Sequence, residues 1–168
     1  MEEFRVISEF PMYAVSNYGR VINTRRDTEM RLSHNAYDEL TVGLWRDGKQ
    51  HRRAVRGIVA RTFVPGETKI FNTPIFLDGD RDNLNANNLA WRPRWFAIAY
   101  IKQFDYEESW WYAGPVRDIR SGDIHPSIID AAIANGSLVD DIRDSLMNHS
   151  RVFPGGAVYE FIKVHTSS

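Results

Sequence analysis

The sequence predicts an α+β protein built from three small units on one chain. Three observations lead there. Leu40, Val42 and Leu44 alternate with Thr41 and Gly43 ahead of Asp47-Gly48, which is the pattern of a half-buried strand entering a hairpin. Ile128, Ile129, Ala132 and Ile133 recur at helical spacing after Pro126. A polar break at Asp105 to Ser109 divides the chain ahead of its C-terminal third. The units so delimited are a β-rich module over 1–50, a mixed segment over 51–104 and an α/β module over 105–168.

In chain order, Phe4-Arg5-Val6-Ile7 reads as a first strand. Tyr13 to Ile22 comes next, turning at Asn17-Tyr18-Gly19. Tyr37 to Lys49 and His51 to Val55 form a hairpin about Asp47-Gly48. Ile58 to Phe63 is a short helix packing Ile58, Val59 and Phe63, and Pro65-Gly66 breaks it. Ile70 to Leu77 is apolar and strand-like, and Asp78-Gly79-Asp80 is a turn. Asn83 to Leu89 is expected to be helical, ending near Trp91. Trp95 to Phe104 is a mostly apolar helix or extended arm. Trp110-Trp111-Tyr112 opens the third unit. Helices over Ile128 to Asn135 and from Ser137 or Leu138 to Asn148 flank Asn135-Gly136-Ser137. The second helix turns Val139, Ile142 and Leu146 inward. Gly155-Gly156 leads into a strand from Val158 to Val164.

Bulk properties narrow the function classes. An apolar fraction of 43% with five Trp and nine Phe is enough for a packed core. The chain has no Cys, which excludes disulfides and thiolate metal sites and fits a reducing compartment. Met1-Glu2-Glu3 lacks a basic, apolar leader, so no signal peptide is expected. No stretch approaches the roughly 20 apolar residues of a membrane span. The net charge of -1 conceals an asymmetry: residues 1–100 carry 15 Lys/Arg against 12 Asp/Glu, and residues 101–168 carry 6 against 10. Between 46 and 61, Arg46, Lys49, Arg52, Arg53, Arg56 and Arg61 face only Asp47.

Tyr13 to Val21 spells Tyr-x-Val-Ser-Asn-x-Gly-Arg-Val. It resembles the nuclease-associated modular DNA-binding domain that often precedes HNH in homing endonucleases. Val59, Ala60, Phe63, Asp78, Gly79, Asn83, Asn88, Leu89 and Trp91 match the scaffold of the HNH ββα-metal finger of phage homing endonucleases. Ala131-Ala132, Asn135-Gly136, Ile142, Gly155-Gly156 and Tyr159-Glu160 resemble the intron-encoded-nuclease repeat. The resemblance implies a β-rich nuclease-associated module, a degenerate HNH finger and a helix-turn-helix-like α/β module, of phage or mobile-element origin.

The chemical positions of that family are replaced. Arg56 stands where the family has its general-base His, and Val55 where a metal-binding Asp is sometimes found. Ile75-Phe76 replaces Asn-His, and Leu84 replaces the second, metal-ligating Asn. Arg stays protonated and cannot activate water, and Leu and Phe cannot ligate a cation. No catalytic residue, metal ligand or cofactor is therefore expected. Asp78, Asp80 and Asp82 alternate about Gly79 but lack the Gly and Glu spacing of a calcium loop.

The resemblance implies a double-stranded DNA partner, taken up by Arg20, Arg25, Arg26, Arg46, Lys49, Arg52, Arg53, Arg56 and Arg61. Arg56 would then be a phosphate clamp. Arg20, Arg25, Arg26 and Arg31 equally suit a solvated hairpin face with Asp27 and Glu29 interleaved. The helix after Gly136 carries Asp140, Asp141 and Asp144 against Arg143, a poor complement to phosphate. A second reading is accordingly a phage structural protein, or a host-protein inhibitor, engaging its partner through 110–168. A third is a nuclease whose base has moved to His34, His51, His125, His149 or His165, which requires the base and its metal ligands to relocate together. The expected setting is host cytoplasm, or the virion, with no membrane partner.

Overall fold

A computed structural model describes residues 1–105 and 114–162. Trp110, Trp111, Tyr112 and His165 lie outside the described residues. So do the part of the expected linker after Asp105 and the part of the expected last strand beyond Ile162. The architecture is α+β, and the chain divides into two compact units, Met1–Ala97 and Ile98–Ser168.

The first unit holds three antiparallel sheets, one complete helix, a 3₁₀ turn and the first turn of a second helix. Strands β1 (Phe4–Ile7), β2 (Phe10–Ser16), β3 (Val21–Asn23) and β4 (Thr28–Glu29) form a meander in that spatial order. The β2–β3 connection is the Asn17-Tyr18-Gly19 turn. There Ser16 Oγ accepts from the backbone N–H of Tyr18 and Arg20, at 3.2 and 3.1 Å. Strands β5 (Ser33–His34), β6 (Leu40–Arg46) and β7 (Lys49–Ala54) form the second sheet, with Arg46 opposite Lys49 and Leu44 opposite His51. Asp47 and Gly48 both have positive φ, as a two-residue hairpin turn requires.

Helix α1 (Val55–Phe63) follows β7 without a loop. It begins three residues before the helix expected from sequence, because its start carries no signal: Ala54 makes no side-chain cap and Gly57 is a weak helix former. Its buried face is Val55, Ile58, Val59 and Ala60. The larger of these side chains contribute about 1.5–3 kcal/mol each by leaving water. Trp91 Nε1–H donates to the Val64 carbonyl at 2.9 Å and fastens the helix end.

Strands β8 (Thr73–Phe76) and β9 (Leu89–Arg92) pair antiparallel. The strand expected over Ile70 to Leu77 is shorter because Ile70 is exposed and Thr68 and Asn72 form turns. The helix expected over Asn83 to Leu89 is a single 3₁₀ turn, Ala86–Asn88, running into β9. The Asn side chains explain the difference. Asn85 Oδ1 accepts from the Asn87 N–H at 3.0 Å, and Asn88 binds backward to Asp78 and to the Asn83 carbonyl. Side chains that compete for the backbone in this way favour caps and turns over helix.

One hydrophobic core unites this unit. Ile7, Phe10, Val15 and Val21 belong to the same cluster as Val42, Leu44, Val59, Leu84 and Trp91. The 1–50 and 51–104 stretches are thus distinct as motifs but continuous as packing. Helix α2 (Arg94–Lys102) straddles the boundary at Ala97/Ile98 and continues as a 3₁₀ turn, Gln103–Asp105.

In the second unit, strands β10 (Val116–Asp118), β11 (Ile124–His125) and β12 (Tyr159–Phe161) form a sheet ordered β11-β10-β12. Helices α3 (Ile128–Asn135) and α4 (Val139–Asn148) cover it, and Val116, Ile128, Ala132, Ile142 and Tyr159 are its fully buried core. Ser127 caps α3 through the Asp130 N–H at 3.2 Å, and Gly136 ends it in the left-handed conformation, φ 58°.

Candidate nucleic-acid interface

The start of α1 places Arg56 over the ring of Phe76, its guanidinium carbon 5.3 Å from the centroid. Glu39, just ahead of β6, closes the other side with an ion pair of 2.8 Å. Both side chains are about a fifth exposed, at 20% and 22%. Burial pushes the Arg56 guanidinium below its ordinary value and Arg81 adds to that, while Glu39 opposes it. Around this pair Val55, Ile75, Phe76 and Leu84 are buried.

The loop after β8 is tied by its own side chains. Asn83 Nδ2 donates to Asp78 Oδ2 at 2.6 Å, and Asn88 Nδ2 donates to Asp78 Oδ1 at 2.8 Å. The N–H of Asp80 also reaches Asp78 Oδ1, and that of Asp82 reaches Asp80 Oδ1, both at 2.9 Å. Asp78 is therefore a loop fastener. His34 Nε2 lies 2.9 Å from Asp82 Oδ1 and 3.9 Å from Asp38; the hydrogen bond to Asp82 raises the imidazole pKa above its ordinary value.

The basic residues do not gather into one patch. Register puts Arg46, Lys49, His51 and Arg53 on the Val42/Leu44 face of the hairpin, and Trp45, Gln50 and Arg52 on the other. Arg46 and Arg53 stack on Phe10, at 5.2 and 5.5 Å, and both reach Glu9: Arg46 through its carbonyl and Arg53 through its carboxylate. Arg52 donates to Ser33 Oγ and Thr41 Oγ1 at 2.9 and 3.1 Å. Arg61 lies 3.4 Å from Glu67. Arg20 is held by Glu29 at 2.8 Å and Glu2 at 2.9 Å, and those hydrogen bonds raise its pKa further. Among the described residues Arg25, Arg26 and Lys49 make no ion pair.

Of the nine cations expected at DNA, Arg20 and Arg56 are held by carboxylates and Arg52 by the Ser33 and Thr41 hydroxyls. Glu9, Glu39 and Glu67 compensate Arg53, Arg56 and Arg61 from outside 46–61, so a charge count over that stretch misses them. Sequence reasoning also misses Trp45 as a surface feature. It falls on the hairpin face opposite Leu44 and is 51% exposed, which the alternation of Leu40, Val42 and Leu44 already implies.

Comparison with known proteins bears on this arrangement. The NUMOD4 motif matches residues 2–45. The chain is 30% identical over 91 residues to "Uncharacterized HNH endonuclease L247" of Acanthamoeba polyphaga mimivirus, covering 54% of this chain and 23% of that protein. It therefore spans under a quarter of that relative's length. A structure of the HNH homing endonuclease I-HmuI, described for DNA binding and cleavage, superposes with a TM-score of 0.56 at 20% identity, covering 96% of this chain and 99% of that one. Over residues 2–45 the chain carries the NUMOD4 motif, and its fold is similar to that of an HNH homing endonuclease.

Homing-endonuclease chemistry needs a neutral imidazole and hard donors for a divalent cation. The residues here do not fit that cation. Arg56 brings a permanent positive charge, Val55, Phe76 and Leu84 have no donor atom, and the Asp78 oxygens already accept from Asn83 and Asn88. Among the described residues no three His, Asp or Glu side chains gather as a metal set.

The NUMOD4 segment forms the β1–β4 meander and the β5–β6 ladder. In the second unit α3-Gly136-α4 is the turn between helices expected from the repeat. Helix α4 presents Asp140 and Asp144 to solvent, with Arg143 paired to Asp140 at 3.2 Å. Burial, together with Asp144 and Asp140, pushes the Asp141 carboxyl above its ordinary value. Such a surface repels phosphate.

Proposed function

We propose that this homing-endonuclease-like chain binds double-stranded DNA and does not cut it. One observation carries the reading: the position of the family's general base holds Arg56, paired with Glu39 at 2.8 Å and stacked on Phe76. With Leu84 at the ligand position, the places of the family's base and ligand hold side chains that can neither take a proton from water nor hold a metal, and the nearby Glu39 carboxylate is taken up by Arg56. The scaffold is kept nonetheless, and the matched relatives are nucleases. Arg25, Arg26 and Lys49 are the primary phosphate contacts in this reading, with the exposed edges of Arg46 and Arg53 beside them. The chain acts in the cytoplasm of a phage-infected host.

The test is a fluorescence-anisotropy titration with random duplex DNA at low and physiological salt, with and without Mg²⁺, followed by a gel of the same DNA. Binding that weakens steeply with salt, and intact DNA, support the proposal. Undetectable binding at low ionic strength, or Mg²⁺-dependent fragments, overturn it.

A second reading rests on the acidic α4 surface: a protein partner engaged through 110–168, of which 114–162 are described. Native mass spectrometry of the chain isolated from infected cells tests it, and a stable stoichiometric partner is the outcome it requires.

A further inference from the structure

The first unit has a recess of about 580 Å³ lined by Met12, Tyr13, Asn23, Arg25, Arg26 and Trp45. Its size lies within the roughly 300–1,000 Å³ range of small-ligand clefts. Two kinds of chemistry meet there. Trp45 offers a half-exposed indole, and Arg25 and Arg26 offer two guanidiniums that no carboxylate neutralises among the described residues. The frame is fixed. Asn23 Oδ1 accepts from the N–H groups of both Arg25 and Arg26, at 3.0 and 3.1 Å, and Asp27 closes the turn at positive φ. The buried Tyr13 hydroxyl accepts from the backbone N–H of Trp45 at 3.2 Å. Asn23 is left with its amide NH₂ as a donor.

We infer that this recess takes an unpaired nucleobase of DNA, stacked on Trp45, with its flanking phosphates on Arg25 and Arg26. The inference rests on the DNA-binding reading above and deepens it. A base inside a duplex has both faces covered by its neighbours, so an indole platform is of use only to a base out of the stack. Bidentate guanidiniums suit the phosphates on either side of such a base. The stacking is sequence-tolerant because every base has a π-face.

The experiment uses the full chain and two probes, a 12-mer of thymidylate and a random duplex of the same length. Binding is read by anisotropy and tryptophan quenching in the wild type, W45A, W45F and R25A/R26A, each checked for an unchanged melting curve. The expected result is that W45A weakens single-strand binding about tenfold, the loss of one stacked base. W45F restores most of it, and both leave duplex binding within about twofold. R25A/R26A weakens both probes. An unchanged single-strand affinity in W45A, or an equal loss on the duplex, overturns the inference while leaving DNA binding intact. Failure of the wild type to bind either probe overturns the DNA reading itself.

Discussion

A Cβ placed on Gly19 would lie 2.4 Å from Cβ of Leu84 and 2.7 Å from its Cδ1. Gly19, at φ 88°, is the glycine of the NUMOD4 turn, and Leu84 occupies the position of the family's metal-ligating Asn. The two motifs touch at the atom-to-atom level, and the touch is apolar. Leu84 is a plug seated under the N-terminal turn.

Gly19→Ala is therefore expected to destabilise the first unit by about 2–4 kcal/mol, combining a left-handed backbone with a steric overlap. Leu84→Ala alone opens a cavity and costs about 2–5 kcal/mol. Because the second change removes only part of what Gly19→Ala strikes, the double variant should be less damaged than the sum. Urea denaturation of the four proteins measures this coupling. Simple additivity would mean the contact does not constrain the turn.

Restoring the family's base should not restore cutting. Arg56→His supplies an imidazole, but Leu84 and Phe76 still leave a divalent cation without donors. Plasmid relaxation in Mg²⁺ or Mn²⁺ should be absent for both proteins, and nicking by either one refutes the account of the site. The same substitution, like Arg56→Ala, should lower stability by about 1–3 kcal/mol, since Glu39 is left partly buried without its cation. Arg56→Met with Glu39→Met together should recover most of that loss.

Binding of duplex DNA should separate the free cations from the engaged ones. Removing one phosphate-binding cation reduces the slope of log K against log salt by about 0.9. Arg25→Ala with Arg26→Ala should flatten the slope by roughly 2, whereas Arg52→Ala should barely change it. A larger effect from Arg52 would mean that its bonds to Ser33 and Thr41 give way to phosphate.

The second unit should weaken in acid through Asp118. Desolvation works to raise the Asp118 carboxyl pKa, but hydrogen bonds from the Arg120 and Val158 N–H groups and from Ser121 outweigh it and hold the pKa below its ordinary value. A depressed folded pKa gives stability that is complete above the unfolded value of about 3.9 and is lost as pH falls through the folded one. Asp118→Ala should cost about 1–3 kcal/mol at pH 7 and lose that part of the acid dependence. Guanidinium denaturation across acid pH reads both.

The pair of His34 and Asp82 should act in the opposite sense. Its raised imidazole pKa gives stability that is complete below the unfolded value of about 6.5 and fades as pH rises through the folded one. His34→Gln should make the melting temperature flatter between about pH 6 and 8, across the width of that titration. The NMR titration of His34 should move down when Asp82 is changed to Asn.

Much of this was legible in the sequence where local chemistry decides. The strand at Phe4–Ile7 and the helix at Ile128–Asn135 fall where expected. Asp47-Gly48 turns the hairpin, and Val139, Ile142 and Leu146 are buried on α4. The replaced chemical positions could also be read, because Arg, Val, Phe and Leu lack the required atoms wherever they sit. Long-range pairing was not legible. Nothing near Arg56 in sequence announces Glu39, and nothing near Arg20 announces Glu2. Short strands such as Val116–Asp118 are too brief to show a period, and the Asn-rich run over 83–88 satisfies helix length while its side chains take the backbone for turns.

The common core of the first unit limits how such chains can be recombined. Homing-endonuclease segments look interchangeable as text, yet Ile7, Phe10 and Val21 are packed with Val59, Leu84 and Trp91 in a single cluster. A crossover near residue 50 would leave β6 exposing Val42 and Leu44, and the helix of the partner half exposing Val55 and Val59. Inheritance by exchange of parts is open to this lineage only where the exchanged part brings its own interior, or where the recipient already carries matching apolar side chains. The N-terminal turn and the position it covers are then selected together, and each constrains which substitutions the other tolerates.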